Sequence, residues 1–302
     1  MNWLRTFVLV TVAALAAVGA AAQTAGNDSN DTEQLRIAAL EALISAPPEK
    51  ALPIAAKVLR GEYSEVLKSR ALFVLSQIEL PEAQQMLLDT AKTGTATLRT
   101  EAIRMIGIGG DTTALAGLKE IYAGGDDAIR EAVLEAYLIA DDAGAIYQVA
   151  IDATTDKEFE AAVGILGAMN ARDELHRLRE QLGTSESLID AYSVAGDFES
   201  LRVLAIDNTD PEQQVQALHG LGVVGGDTAN ATLLEVYKGA DSPDVRDAAL
   251  QGMLISDYDD GVLQLFRDSQ DANEKRELLR TLVNMDSDAV MEIIDSTFDG
   301  GQ

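Results

Sequence analysis

The sequence predicts an all-α chain, a solenoid of about nine helical hairpins that each lean on the next. Three observations lead there. Residues 106–142 and 221–260 are copies of one arrangement: an apolar helix end, Gly-Gly-Asp, a second helix ending in Tyr, a Gly-bearing turn, then Arg-x-Ala. Asp111 matches Asp227 and Arg130 matches Arg246, both pairs 116 residues apart. Weaker copies recur about every 30 residues along most of the chain. Alternation of the strand kind is absent, and glycine breaks such as Gly61, Gly94, Gly124-Gly125, Gly183 and Gly239 punctuate helical stretches of about 10–14 residues.

Taken in order, residues 1–22 read as an export signal. Arg5 is the basic flank, Phe7 to Val18 is a 12-residue apolar core, and Ala20-Ala21-Ala22 is a small-residue cleavage site. That core falls short of the ~20 residues a membrane-spanning helix needs. The expectation is cleavage after Ala22, delivery to the periplasm (or secretion), and no transmembrane helix afterwards. The chain has no Cys, which removes disulfides, thiolate metal sites and a lipidated cysteine at the cut. Residues 23–31, polar and small, are expected to be a disordered lead-in, and residues 32–298 to be the repeat solenoid.

Within 32–298 each repeat is anchored by an apolar residue in its first helix. The anchors are Leu40, Leu72, Ile103, Leu134, Val163, Ala191, Leu218, Leu250 and Leu279. Ala precedes six of the nine, and an apolar or aromatic residue follows each by three, from Leu43 and Leu75 to Val194 and Leu282. Apolar residues at these spacings share one helix face, and small ones let a neighbouring helix approach to roughly 8–10 Å. Asp210-Pro211 and Ser242-Pro243 each pair a capping side chain with a proline at the first helical position. The weakest unit is 185–210, where Ala191 holds the anchor place and the second helix is short. A hairpin of this size cannot bury a core alone, whereas stacked hairpins bury a continuous one.

The segments Asp127-Ala-Ile-Arg130-Glu-Ala132 and Asp244-Val-Arg246-Asp-Ala-Ala249 resemble HEAT-like repeats, and the short period is similar to the variety found in phycobilisome lyases. The resemblance implies a right-handed superhelix whose second helices line a concave groove, and a role as an interaction scaffold. On that reading the groove residues are Lys119, Tyr122, Arg179, Arg202 and Tyr237, with the two tyrosines open to either core packing or groove exposure. A basic residue stands four before the anchor in six of nine repeats: Arg36, Lys68, Arg99, Arg130, Arg246 and Lys275. Its expected role is structural, with the stem over the seam and the head on a turn carboxylate such as Asp111, Asp227 or Asp260. A ligand-binding arginine row is the alternative.

Charge and chemistry narrow the function. With 50 acidic and 23 basic residues the net charge is −27, spread along the chain; such a field repels phosphate backbones and argues against a nucleic-acid partner. His176 and His219, the only two histidines, lack metal-ligand spacing. Asp257-Tyr-Asp-Asp-Gly261 places its Gly fifth, where a calcium loop of the EF-hand kind needs it sixth. No motif for a nucleophile or a phosphate loop is found. No catalytic residue, metal site or cofactor is therefore expected. The chain reads as a non-catalytic scaffold or adaptor that binds a protein or peptide. The alternative is a lyase- or oxidoreductase-like repeat enzyme, or a cofactor chaperone holding its ligand in the groove.

Overall fold

The computed structural model describes residues 27–207, 210–285, 287, 290–291 and 293–295. The expected signal segment, the start of the expected lead-in and residues 296–298 lie outside the described residues. Residues 27–31, expected as part of a disordered lead-in, instead begin the first helix.

The described residues form seventeen α-helices and one 3₁₀ turn, with no strand among them. In order these are α1 (Asn27–Ala42), the turn Leu43–Ser45, α2 (Pro48–Arg60), α3 (Glu65–Ser76), α4 (Pro81–Thr93), α5 (Ala96–Gly109), α6 (Thr112–Gly124), α7 (Asp127–Ile139) and α8 (Ala143–Asp152). They continue as α9 (Asp156–Ala168), α10 (Arg172–Leu182), α11 (Glu186–Val194), α12 (Phe198–Asp207), α13 (Pro211–Val224), α14 (Gly226–Gly239), α15 (Pro243–Ile255), α16 (Asp259–Asp268) and α17 (Ala272–Asn284). No described helix is long and apolar enough to cross a membrane. The chain divides into two compact units, up to Ala102 and from Ile103 onward.

In the first unit α3 is central: α1, α2 and α4 all pack on it, burying Leu40, Leu67, Leu72, Leu75 and Leu87. The second unit is a solenoid in two layers. First helices α7, α9, α11, α13 and α15 pack side by side, and second helices α8, α10, α12, α14 and α16 lie against them.

Local rules explain why each hairpin starts and turns where it does. Eight residues before the anchor stands a capping side chain that accepts an otherwise unpartnered backbone N–H. Ser64 accepts from Leu67 at 3.3 Å, Thr95 from Leu98 at 3.4 Å, Asp126 from Ile129 at 3.0 Å, Thr155 from Glu158 at 3.3 Å and Asp271 from Glu274 at 2.8 Å. Asp210 caps in the same way, whereas the Ser242 side chain makes no such bond. Seven residues after the anchor the chain turns through the left-handed region, at Gly110, Asp141, Asn170, Gly225 and Asp257, with φ between 55° and 67°. Gly, Asn and Asp are the residues that enter this region at least cost.

The sixth repeat corrects the sequence reading. Its left-handed residue is Gly196, φ 61°, and counting back seven puts the anchor at Ile189, not Ala191. Ile189 and Tyr192 are fully buried, while Val194, expected in the core, is 64% exposed. The helix begins at its Ser185 cap, four residues before Ile189 instead of eight. One whole helical turn has been lost from the N-terminus of α11, and spacing measured from neighbouring repeats therefore landed two residues late. At nine residues α11 is the shortest of the described α-helices.

At Arg130 and Arg99 the basic residue four before the anchor is structural, but its head meets a helix-end carbonyl instead of the expected turn carboxylate. Arg130 donates through Nε to the Tyr122 carbonyl at 3.4 Å, and Arg99 likewise to the Ala91 carbonyl at 3.2 Å. Both acceptors lie in the last turn of the preceding helix, where unpaired carbonyls and the negative end of the helix dipole favour a cation. Asp111 instead caps α6, accepting from Thr113 at 3.0 Å and Ala114 at 2.8 Å.

Candidate functional site

Between α6 and α8, roofed by the start of α9, lies a cleft of about 520 Å³. Leu115, Ala116, Lys119 and Tyr122 line it from α6, and Ala145, Gln148, Val149 and Asp152 from α8. Their i, i+3/i+4, i+7 spacing is one face of each helix. The alanines leave the space: α6 and α8 pack less closely than α8 and α10 do.

The cleft has an aromatic floor beside the capping carboxylate of Asp142, and a rim of ion pairs. Tyr137 rises from α7 and donates its hydroxyl to the Leu115 carbonyl at 3.4 Å. Burial, aided by the nearby Asp142 carboxylate, pushes its pKa up to about 12. On the rim Lys119 holds Asp152 at 3.0 Å, and the hydrogen bonds from Lys119 and Gln148 keep the Asp152 carboxyl below its ordinary range. Arg130 pairs with Glu158, whose carboxylate also accepts from the Thr154 backbone at 2.9 Å and hydroxyl at 3.0 Å. The Arg130 guanidinium sits 5.7 Å from the centre of the Tyr122 ring, a cation–π distance. Burial, then the Glu158 charge, raise the Tyr122 pKa. These charges are matched and both phenols stay protonated at neutral pH. The arrangement suits apolar contact and hydrogen bonding rather than proton transfer.

Lys119 and Tyr122 are thus brought together in one cleft. The other three candidates stand elsewhere. Arg179 is half-buried beside the Tyr192 hydroxyl, and Arg202 pairs with Glu199 at 3.2 Å within its own helix. Tyr237 is buried, with its hydroxyl donating to Glu274 at 3.1 Å.

A second cluster escaped the sequence reading. His176 Nε2 lies 2.6 Å from Asp197 Oδ2 and 3.0 Å from Ser200 Oγ, and Ser200 donates to that same Asp197 oxygen at 2.8 Å. The three residue types are those of a hydrolytic triad, but the connectivity is not. A triad needs serine and carboxylate on opposite ring nitrogens, so that the imidazole accepts the serine proton. Here both face Nε2, and the serine proton goes to Asp197, whose other oxygen accepts the Ser200 backbone N–H at 3.3 Å. This is a helix cap bracing α10 against α12. In sequence only the Asp-x-x-Ser spacing of the cap is local; the histidine, 21 residues earlier, arrives through the fold. Among the described residues no group of three or more potential ligands is placed to hold a metal ion.

Comparison with known proteins adds the following. The family model of HEAT repeats matches residues 52–138. No curated protein matches the sequence. Among solved structures, the CpcE–CpcF complex of phycocyanin lyase from Nostoc sp. PCC7120 is similar at 20% identity, over 80% of this chain and 95% of that one, with a TM-score of 0.34. Human deoxyhypusine hydroxylase in complex with glycerol is similar at 16% identity, over 75% of this chain and 99% of that one, with a TM-score of 0.32. The matched segment takes in the repeats anchored at Leu72, Ile103 and Leu134, and the same caps and turns continue to Asp271, so the chain is a HEAT-like repeat protein.

Proposed function

We propose that this chain is an exported, non-catalytic scaffold that binds a protein or peptide segment through the α6–α8 cleft. One observation carries the reading: an apolar, aromatic floor is ringed by charges already neutralised in pairs, Lys119 with Asp152 and Arg130 with Glu158. Such a rim is desolvated at less cost than one of free charges. The span from Leu115 to Tyr122 is about 10 Å of helix, room for one large apolar or aromatic side chain of a partner. The repeat class supports the same use, since stacked hairpins offer extended surfaces for binding.

Ala116→Trp fills the cleft and Tyr122→Ala strips its wall. Both variants are expected to keep the wild-type helical content and to lose the partner that the wild type captures from its native compartment. Unchanged capture by both sinks the reading, and a chromophore or stoichiometric metal on the purified chain replaces it with cofactor handling. Export has its own check. Trp3 is the only tryptophan, so a chain cut after Ala22 begins at Gln23 and gives no indole emission. A mature chain that retains Trp3 removes the export part of the proposal and leaves the cleft untouched.

A further inference from the structure

The turn missing from α11 has a consequence on the first-helix layer. Helix α9 runs 13 residues and α11 only nine, and a groove of about 590 Å³ opens between them. Glu186, Asp190 and Val194 form one wall at i, i+4 and i+8 of α11; Asp156, Glu160 and Gly164 form the other at the same spacing on α9. Phe159 contributes an aromatic surface between them. The groove is therefore acidic at one end and apolar at the other, where Val194 is 64% exposed.

Two features are not explained by packing within this fold. A glycine in a helix interior weakens the helix, and the neighbouring Gly167 has a packing reason for it: an added Cβ would stand 3.0 Å from Ala191. Gly164 has none. A Cβ there would meet nothing within 4 Å, so it faces the open groove. The carboxylates are the second feature. Those of Asp156 and Glu186 lie in first helical turns, where the helix dipole favours them. Glu160 and Asp190, one turn deeper, lack that support, and no cation lines the groove. The amide of Gln216, 2.9 Å from Asp190, is the neutral neighbour.

We infer that the α9–α11 groove binds an extended peptide segment that carries Arg or Lys at one end and a large apolar residue at the other. The eight steps from Glu186 to Val194 rise about 12 Å, which about four residues of extended chain span. The cation meets the four carboxylates and the Phe159 ring, and the apolar side chain covers Val194 beside Gly164. This surface is separate from the α6–α8 cleft, and either can hold without the other.

The test pans a phage-displayed random dodecapeptide library on the whole chain, then measures the enriched peptides, made synthetically and fluorescently labelled, by anisotropy. Enrichment of Arg or Lys three to four positions from Leu, Ile, Phe or Met is expected. Gly164→Phe, whose Cβ meets nothing within 4 Å and whose ring enters the groove, should weaken those peptides at least tenfold, and Asp156→Asn with Glu160→Gln and Glu186→Gln should do the same. A control with equal charge change, Asp241→Asn with Asp244→Asn and Asp247→Asn, should stay within twofold. Equal weakening by that control overturns the inference, as does undiminished binding to Gly164→Phe, or enrichment without a basic residue. Peptides lost by Tyr122→Ala but kept by Gly164→Phe belong in the α6–α8 cleft, which overturns this inference and supports the cleft. Enrichment of no peptide overturns this inference and leaves the α6–α8 cleft to the capture experiment.

Discussion

A Cβ added to Gly222 would stand 2.6 Å from the carbonyl oxygen of Gly252, so α13 and α15 touch backbone to backbone at this point. Gly107 stands in the same relation to Ala136, also at 2.6 Å, and Gly167 to Ala191 at 3.0 Å. In each pair a glycine four residues after one anchor faces a small residue two after the next. The spacing of the first-helix layer is set there. Gly222→Ala forces two packed helices apart and is expected to destabilise the chain by about 1–3 kcal/mol. Gly164→Ala, with open space around the new methyl group, should raise stability by about 0.5–1 kcal/mol through helix propensity alone. Thermal and denaturant unfolding of the two variants side by side decides this; equal effects would mean that the close approach does not govern the layer.

The hairpin turn makes a separate demand. Gly110 has φ 67°, and an added Cβ would meet nothing within 4 Å. Its need for glycine is therefore one of backbone conformation, not of space. Gly110→Ala should cost about 1–2 kcal/mol, the penalty of the left-handed region for a residue with a side chain. Gly110→Asn should cost less, since Asn170 occupies the equivalent place at φ 56°. If both substitutions prove neutral in denaturant titrations, the turn is not a constraint on the repeat.

These two rules also show what was legible in the chain. Anchors and turn residues recur at fixed offsets, and Ile103, Val163 and Leu218 are buried as their spacing implied. The sixth repeat was misread because its deletion removes a whole turn of helix. Such a loss keeps the apolar stripe on one face, and only the position of Gly196 exposes the shift. The binding cleft was legible in part: Lys119 and Tyr122 share a helix face. Asp152, which pairs with Lys119, comes from the next hairpin, and Glu158, which pairs with the Arg130 beside Tyr122, from the one after it. No local pattern pairs a lysine with one of many acidic residues 33 positions away, in a chain where acidic residues number 50. The His176–Asp197 contact failed to show for the same reason.

That contact predicts a pH dependence. The Asp197 side chain is 5% exposed. Burial alone would raise its pKa, but hydrogen bonds from His176 and Ser200 outweigh burial and hold the carboxyl below its ordinary value of 3.8. A carboxyl depressed by folding contributes stability above its unfolded pKa and loses it as pH falls through the folded one. Asp197→Asn is therefore expected to be less stable than wild type at neutral pH, with the difference shrinking as pH drops below about 4. Melting temperatures of the two proteins across an acid series test the point. A gap that stays constant into acid would show that the Asp197 charge is not what braces α10 against α12.

Arg130 joins the fold to the cleft, because one guanidinium serves the α6 C-terminus, the Tyr122 ring and Glu158 together. If its role is structural, Arg130→Met keeps much of the aliphatic stem yet loses all three contacts, and the melting temperature should fall. Glu158→Gln should lower it as well, since Thr154 then binds a neutral amide in place of a carboxylate. The double variant discriminates. Groups that act mainly on each other are non-additive in a double-mutant cycle, so removing both should cost less than the sum of the single changes. Strict additivity would assign the effect of Arg130 to the Tyr122 carbonyl and ring alone. A ligand-binding arginine row predicts a different pattern: a melting temperature unchanged in both single variants, together with loss of the captured partner.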